Sequence, residues 1–204
     1  TVDGVRAVPG MKVSEEQKIC VGEKVIQGAE QKVVLAVNKP AGIVCTGDMK
    51  VKNNIIRFLH YPVRVTYAGR LDKDSEGLLI MTNDGEMAYR LTHPKHEVYK
   101  TYRARVAGIL SNEKAARLRK GVDIGGFVTS PAKVNIIKGT QHSTIVEISI
   151  HEGKNRQVRK MFAAVGNPVQ ELERIAIGEI RLGHLKPGHY RKLTREEVEY
   201  LKNC

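Results

Sequence analysis

An acidic run, Asp72-Lys73-Asp74-Ser75-Glu76, lies between the lead-in Gly69-Arg70-Leu71 and an apolar segment at residues 78–82. A carboxylate on a glycine-punctuated loop that feeds a core strand is held by the scaffold yet open at its tip, where chemistry concentrates. Asp72 heads that loop. A carboxylate beside an arginine stays ionised, and an ionised, positioned aspartate can act as a nucleophile. Cations able to face it lie downstream, where Arg156, Arg159 and Lys160 stack at helical spacing. On another face of the same helix run Val158, Met161, Phe162 and Val165, an apolar stripe. Three like charges on one face repel each other, so an anionic group should compensate them. The residues alone leave two plainer readings open: a surface turn ending at Asp84-Gly85, and a solvated basic helix face.

These groups need elements to position them. Residues 32–37 form a continuous apolar run, fit for a strand buried on both faces and ended by Asn38-Lys39-Pro40-Ala41-Gly42. Residues 43–46 read as a resumed strand, and Asn53 or Asn54 can cap a short helix through Leu59. Residues 85–92 read as a helix stopped by Pro94. Residues 99–106 alternate strictly, with Tyr102, Ala104 and Val106 on one face and Tyr99, Thr101, Arg103 and Arg105 on the other. Tyr102 is then either a core tyrosine or a stacking surface. Arg103 and Arg105 are either a solvated face or phosphate contacts. Ser111 caps a basic helix over 112–120 that Gly121 ends, short strands follow over 122–137, and residues 144–150 form another strand. Thr194-Arg195-Glu196-Glu197 is a capping box that opens the last helix. The fold class expected is α+β, with a mixed, mostly antiparallel central sheet flanked by helices.

Residues 1–27 look different: short, turn-rich, with strand candidates at 18–21 and 24–26 and a hairpin tip at Val2-Asp3-Gly4-Val5. They read as the trailing edge of a small separate domain, with Gly28-Ala29-Glu30 as linker. The expected division is 1–27 and 28–204. The chain opens on Thr1, inside a strand, and so reads as a fragment whose earlier part is missing.

A net charge of +12, from 34 Lys and Arg against 22 Asp and Glu, calls for a polyanion, nucleic acid before membrane. No stretch is apolar enough to span a bilayer and none reads as a secretory signal, so a cytoplasmic protein is expected. Cys20, Cys45 and Cys204 are odd in number and far apart, which fits reduced thiols better than zinc or disulfides. His93 and His96, beside Pro94, read as loop polarity, and Gly125-Gly126 lacks the context of a dinucleotide fingerprint. No metal and no cofactor are expected.

Gly69-Arg70-Leu71-Asp72 followed by Ser75-Glu76-Gly77-Leu78-Leu79 resembles the catalytic motif of RNA pseudouridine synthases. Asn38-Lys39-Pro40-Ala41-Gly42, Tyr99-Lys100-Thr101-Tyr102 and Asn155-Arg156-Gln157-Val158-Arg159-Lys160-Met161-Phe162 resemble that family's other blocks, in the same order. The whole pattern, from about residue 32 to 200, is similar to the RsuA/RluB/RluE/RluF branch. Within it His93-Pro94-Lys95-His96 and Glu152-Gly153-Lys154-Asn155-Arg156-Gln157 look nearest the RluB group, with RluF next.

The resemblance implies isomerisation of uridine to pseudouridine in ribosomal RNA, with large-subunit (23S) RNA first and small-subunit RNA or tRNA as alternatives. By the same resemblance Asp72 is the nucleophile, and Arg70 fills the gap left by the flipped base. Tyr102 packs on that base and helps take its C5 proton, and Arg159 pairs with the aspartate. Arg103, Arg105, Lys154, Arg156, Lys160 and Arg174 are candidates for RNA backbone contacts. The branch usually carries an N-terminal RNA-binding domain of two helices and a short sheet, and residues 1–27 resemble only its closing hairpin. A monomer with ribosomal RNA as partner is expected. Two other classes fit the residues less well: a non-catalytic ribosome-binding protein, and a metal-dependent nuclease using Asp72, Asp74, Glu76 and Asp84.

Overall fold

The computed structural model describes residues 1–14, 16–27 and 31–204. The chain divides into two compact units, Thr1–Lys32 and Val33–Cys204. In the first, β1 (Ile19–Val21) pairs antiparallel with β2 (Lys24–Gln27). Val2 bridges Val5 across Asp3 and Gly4, whose φ angles of +48° and +82° are the left-handed turn that an Asp-Gly pair accommodates. The linker expected at Gly28-Ala29-Glu30 lies outside the described residues.

The second unit is built on one large sheet. Its strands are β3 (Val34–Lys39), β4 (Thr66–Ala68), β5 (Glu76–Thr82), β6 (Lys100–Ala107), β7 (Lys133–Gly139), β8 (Ser143–Ile150), β9 (Val169–Ile177), β10 (Ile180–Arg181) and β11 (Tyr190–Lys192). The order across the sheet is β11-β3-β5-β9-β6-β8-β7, with β4 beside β5 and β10 beside β9. Among these strands every pairing is antiparallel except β5 with β9, which run parallel for two rungs, Glu76 to Glu173 and Gly77 to Arg174. The helices are α1 (Ile55–Leu59), α2 (Gly85–Thr92), α3 (Asn112–Lys120), α4 (Gln157–Ala164) and α5 (Arg195–Lys202). This is the mixed, mostly antiparallel α+β sheet expected.

Apolar burial explains the continuous runs. On β3 and β5, Val34, Ala36, Leu78 and Ile80 face α2 and α5, while Leu35, Val37, Leu79 and Met81 face α1. A strand covered on both sides has no polar face to alternate with. The other half of the sheet packs Ala104, Val146 and Ile148 against Leu118 of α3 and Met161 and Phe162 of α4. Asn54 caps α1, Asp84 caps α2, Ser111 caps α3, and Thr194 with Glu197 forms the capping box of α5.

One expected strand is different. β3 runs on to Lys39, and residues 43–46 hold only a bridge, Val44 to Asn54. Val44 gives its N–H to Asn53 and its carbonyl to Ile55, so its backbone closes the entry to α1 instead of joining a ladder.

Candidate active site

The loop from Gly69 to Ser75 joins β4 to β5 and borders a cleft of about 500 Å³. Several bonds hold it. Ser75 N–H donates to the Asp72 carbonyl at 3.1 Å, closing a turn, and Gly42 N–H donates to Lys73 O at 2.7 Å. From below, Lys39 is fully buried and donates its Nζ to the Pro40 and Ile43 carbonyls, both at 2.9 Å. That burial depresses its pKa, against the pull of Cys45, Glu76, Asp72 and Asp74. From the side, Arg174 Nε donates to Leu78 O at 2.7 Å and its Nη1 to Arg70 O at 3.4 Å. A loop fixed at this many backbone points presents the Asp72 carboxylate with little freedom, while the side chain itself stays about one-third exposed.

The cations of α4 do compensate an acid, but a different one. Arg156, which precedes α4 with a left-handed φ of +52°, forms a two-pronged pair with Asp74, both bonds 2.9 Å. Arg159 turns inward, reaching Asp74 Oδ2 at 3.3 Å, the Asp74 carbonyl at 3.0 Å and Ser75 Oγ at 3.4 Å. The expected pair between Arg159 and Asp72 is therefore corrected. The nearest cation to Asp72 is Arg156, at 3.9 Å, and Arg159 clamps the loop one turn further on. Asp74 is the anion that gathers both arginines.

Hydrogen bonding from Arg156 holds the Asp74 carboxyl below its ordinary pKa. A depressed carboxylate stabilises the fold above its unfolded pKa and loses that contribution only as pH falls through the lower folded value. The clamp is therefore intact throughout neutral pH. Asp74→Ala should leave melting little changed, since half-exposed pairs contribute about 0–1 kcal/mol. Turnover should nevertheless fall on the order of ten- to a hundredfold, because the loop and Arg156 lose their common anchor. Single-turnover rates beside a thermal melt check this; full activity would reduce Asp74 to a turn residue.

Tyr102 projects from β6 into the same cleft, packing against both apolar clusters of the sheet and lying under the Arg174 guanidinium, 6.0 Å from its ring centre. Arg174 was expected at the RNA backbone. It is 4% exposed and belongs to the cleft floor. Arg103 and Arg105 lie on the opposite face of β6, as the alternation required, where they pair with Glu147 at 2.9 Å and Glu171 at 3.4 Å. They form a solvated, paired sheet face turned away from the cleft. Arg70 and Lys154 line the cleft and are exposed, Lys154 over the Phe127 ring at 4.6 Å, and Lys160 is exposed on α4.

A polar network that the sequence did not signal shapes the rim. Glu152 accepts from Ser130 N–H and Oγ at 3.1 and 2.8 Å and from Gln157 Nε2 at 2.6 Å. Gln157 Oε1 in turn accepts from Lys154 N–H at 3.0 Å, so the loop carrying Lys154 and Arg156 is closed on itself. The acidic cluster imagined for a nuclease does not assemble. Asp84 caps α2 at the far end of β5, and Asp74 is spent on arginines. Among the described residues no group of three or more His, Cys, Asp or Glu is placed to hold a metal ion, and no helix is long and apolar enough to cross a membrane.

An aspartate loop facing a strand tyrosine, with an arginine-bearing loop before a helix, is thus set on a mostly antiparallel sheet. Residues 33–164 match the RNA pseudouridylate synthase family, and the chain belongs to it. It is an RNA pseudouridine synthase, an isomerase. It is 36% identical to ribosomal large subunit pseudouridine synthase B of Bacillus subtilis, over 95% of this chain and 80% of that protein. With ribosomal small subunit pseudouridine synthase A of Salmonella typhimurium it shares 42% identity over 79% of this chain and 71% of that one. A crystal structure of a pseudouridylate synthase superposes with a TM-score of 0.77 and 34% identity, covering 98% of this chain and 87% of the other.

Proposed function

We propose that this protein converts a specific uridine of large-subunit ribosomal RNA to pseudouridine, with Asp72 as nucleophile on a flipped-out base. The observation that carries the reading is the cleft itself. It brings Asp72, Arg70, Tyr102 and the exposed cations Lys154 and Arg156 to one opening, in a chain of this family. The reaction conserves every atom. The C1′–N1 bond breaks, C1′ bonds to C5, the C5 proton leaves and N1 gains one, so neither a redox cofactor nor a metal is called for.

Extruding the uridine costs about a few kcal/mol. Stacking on the Tyr102 ring, worth roughly 1–3 kcal/mol, offsets part of that, and Arg70 fills the vacated stack. Lys154, Arg156 and Lys160 take the phosphates on either side. Arg159 serves as a positioning residue, holding the loop through Asp74. We take residues 1–27 as the closing hairpin of an RNA-binding domain, and the enzyme as a monomer of the cytoplasm.

Large-subunit RNA is favoured because the Bacillus subtilis large-subunit relative aligns along 95% of the chain, an extent that must take in most of residues 1–32. The higher identity to the Salmonella typhimurium small-subunit enzyme supports a second reading, small-subunit RNA. Incubating the protein with unmodified large- and small-subunit RNA, then mapping pseudouridines chemically, decides between them. A new pseudouridine in the large-subunit RNA is expected; modification confined to the small-subunit RNA overturns the assignment. In the same assay Tyr102→Ala should lose at least about a hundredfold in rate, while Tyr102→Phe keeps the stacking surface and loses only the hydroxyl's part. An Ala variant as fast as wild type would remove Tyr102 from the base.

A further inference from the structure

Alternation along β6 puts Lys100 on the same face as Tyr102, and the β6–β9 register sets Arg174 opposite Tyr102. All three line the cleft. The two cations have unusual surroundings. Lys100 Nζ donates to a single described acceptor, the His151 carbonyl, at 3.2 Å. Arg174 spends Nε and Nη1 on the loop carbonyls of Leu78 and Arg70, and its Nη2 is buried without a partner. Among the described residues no carboxylate lies within ion-pair distance of either side chain. Buried polar groups are normally satisfied, and buried charges paired. A buried arginine with a free Nη2 and a half-buried lysine, neither paired with a carboxylate and both lining an enzyme cleft, are placed to take an acceptor from outside. Burial, and next to it the positive charge of Arg174, lowers the Lys100 pKa to about 8.

We propose that Lys100 and Arg174 form an oxyanion subsite that receives a carbonyl oxygen of the flipped uracil while negative charge is on the ring. The proposal rests on the reading that the base stacks on Tyr102. Either route open to Asp72 develops that charge. If the carboxylate attacks C1′, the C1′–N1 bonding pair stays on the uracil and spreads over N1 and both carbonyl oxygens. If it attacks C6, the C5–C6 π pair moves toward C4 and gives an enolate at that oxygen. In the first route C5 then bonds to C1′ and displaces the Asp72 carboxylate; in the second C5 bonds to C1′ as the C1′–N1 bond breaks with its pair going to N1, and the carboxylate afterwards leaves C6. In both, the C5 proton leaves to a base and N1 gains one. Donors that sit ready in a desolvated site, aimed where charge develops, are the strongest form of such stabilisation. Of the other charged and titratable groups at the cleft, Glu152 is held by Ser130 and Gln157, Asp72 has Arg156 as its nearest cation, and His151 meets Lys100 through its backbone carbonyl, while Cys45, Arg70, Lys73 and Lys154 also line it.

The test uses the full chain as wild type, Lys100→Met and Lys100→Arg, with unmodified large- and small-subunit ribosomal RNA, measuring single-turnover rate and RNA affinity against pH. Lys100→Met should lower the rate on the order of a hundredfold with Kd within about twofold and an undiminished melting temperature. The wild-type rate should fall as pH rises through about 8, where the lysine loses its proton. Lys100→Arg, which keeps its charge, should retain activity past that point. Uracil N3 titrates alike for all three proteins, so the difference between the arginine variant and wild type isolates Lys100. A Lys100→Met rate within threefold of wild type overturns the proposal. So does a loss of affinity with unchanged rate and a salt slope shallower by about one, which would put the lysine on a phosphate. Asp72→Asn is run beside them. If it stays active, the reading of the whole site fails; if it is dead while Lys100→Met is normal, only the subsite does.

Discussion

Asp72→Asn is expected to reduce pseudouridine formation by on the order of 10³- to 10⁴-fold while leaving fold and RNA affinity intact. The substitution is isosteric and removes charge and nucleophilicity together. Its structural consequences should be small. Asp72 makes one long ionic contact, 3.9 Å to Arg156, and its side chain is partly exposed, so loss of that contact falls within the near-zero range of surface pairs. The turn survives because Ser75 N–H bonds the Asp72 backbone carbonyl, which the variant keeps. Affinity for RNA should hold or rise slightly, since a negative charge is removed from a cleft rimmed by Arg70, Lys154 and Arg156. Rate, melting temperature and Kd measured together therefore separate the nucleophile from its neighbour. Asp74→Ala should weaken the rate modestly, whereas Asp72→Asn should remove it. An Asp72→Asn enzyme within tenfold of wild type would end the assignment, and one that failed to bind RNA would point to a binding role instead.

Much of the scaffold was legible because apolar pattern and caps speak locally. The doubly buried strands β3 and β5 showed as unbroken apolar runs, and Asn54, Ser111 and Thr194 announced the helices they cap. The repulsion among Arg156, Arg159 and Lys160 correctly demanded an anion. Which anion it would be was not legible, because Asp74 lies more than eighty residues earlier and differs from Asp72 only in where the turn aims it. Arg174 reads as a surface charge by every composition rule, since arginine is seldom fully buried. Its burial follows from a two-rung parallel contact between β5 and β9 that no local pattern encodes. Lys100 was hidden differently. In a chain with 34 lysines and arginines one more lysine carries no signal, although its phase with Tyr102 on an alternating strand was there to be seen. For Arg103 and Arg105 the phase was legible: alternation placed them opposite Tyr102, where they pair with Glu147 and Glu171.

Gly77→Ala should be among the most damaging single methyl additions at the described glycines. Gly77 stands at the junction of the Asp72 loop and β5, with φ at +105°, a region L-residues seldom enter. An added Cβ there would lie 2.3 Å from the Arg174 carbonyl oxygen and 2.6 Å from its amide nitrogen. Both are backbone atoms of the facing strand, so no side chain can swing aside. The unfavourable φ costs about 1–3 kcal/mol and the forced separation a further 1–3 kcal/mol. Against a total stability of about 5–15 kcal/mol that is a large share. At roughly 2–4 °C per kcal/mol for a chain of this size, melting should drop by about 10 °C. Activity should fall further than stability alone explains. Pushing the Arg174 backbone away draws its guanidinium off the Leu78 and Arg70 carbonyls, which releases the loop that carries Asp72. Gly85→Ala is the matched control. Gly85 opens α2, an added Cβ there meets nothing within 4 Å, and alanine favours a helix, so that variant should melt at or slightly above wild type. Thermal melts of the two variants beside wild type test the pair. A Gly77→Ala protein melting within about 2 °C of wild type would mean that β5 and β9 part there at little cost. The close approach of these strands would then not be what holds the Asp72 loop in place.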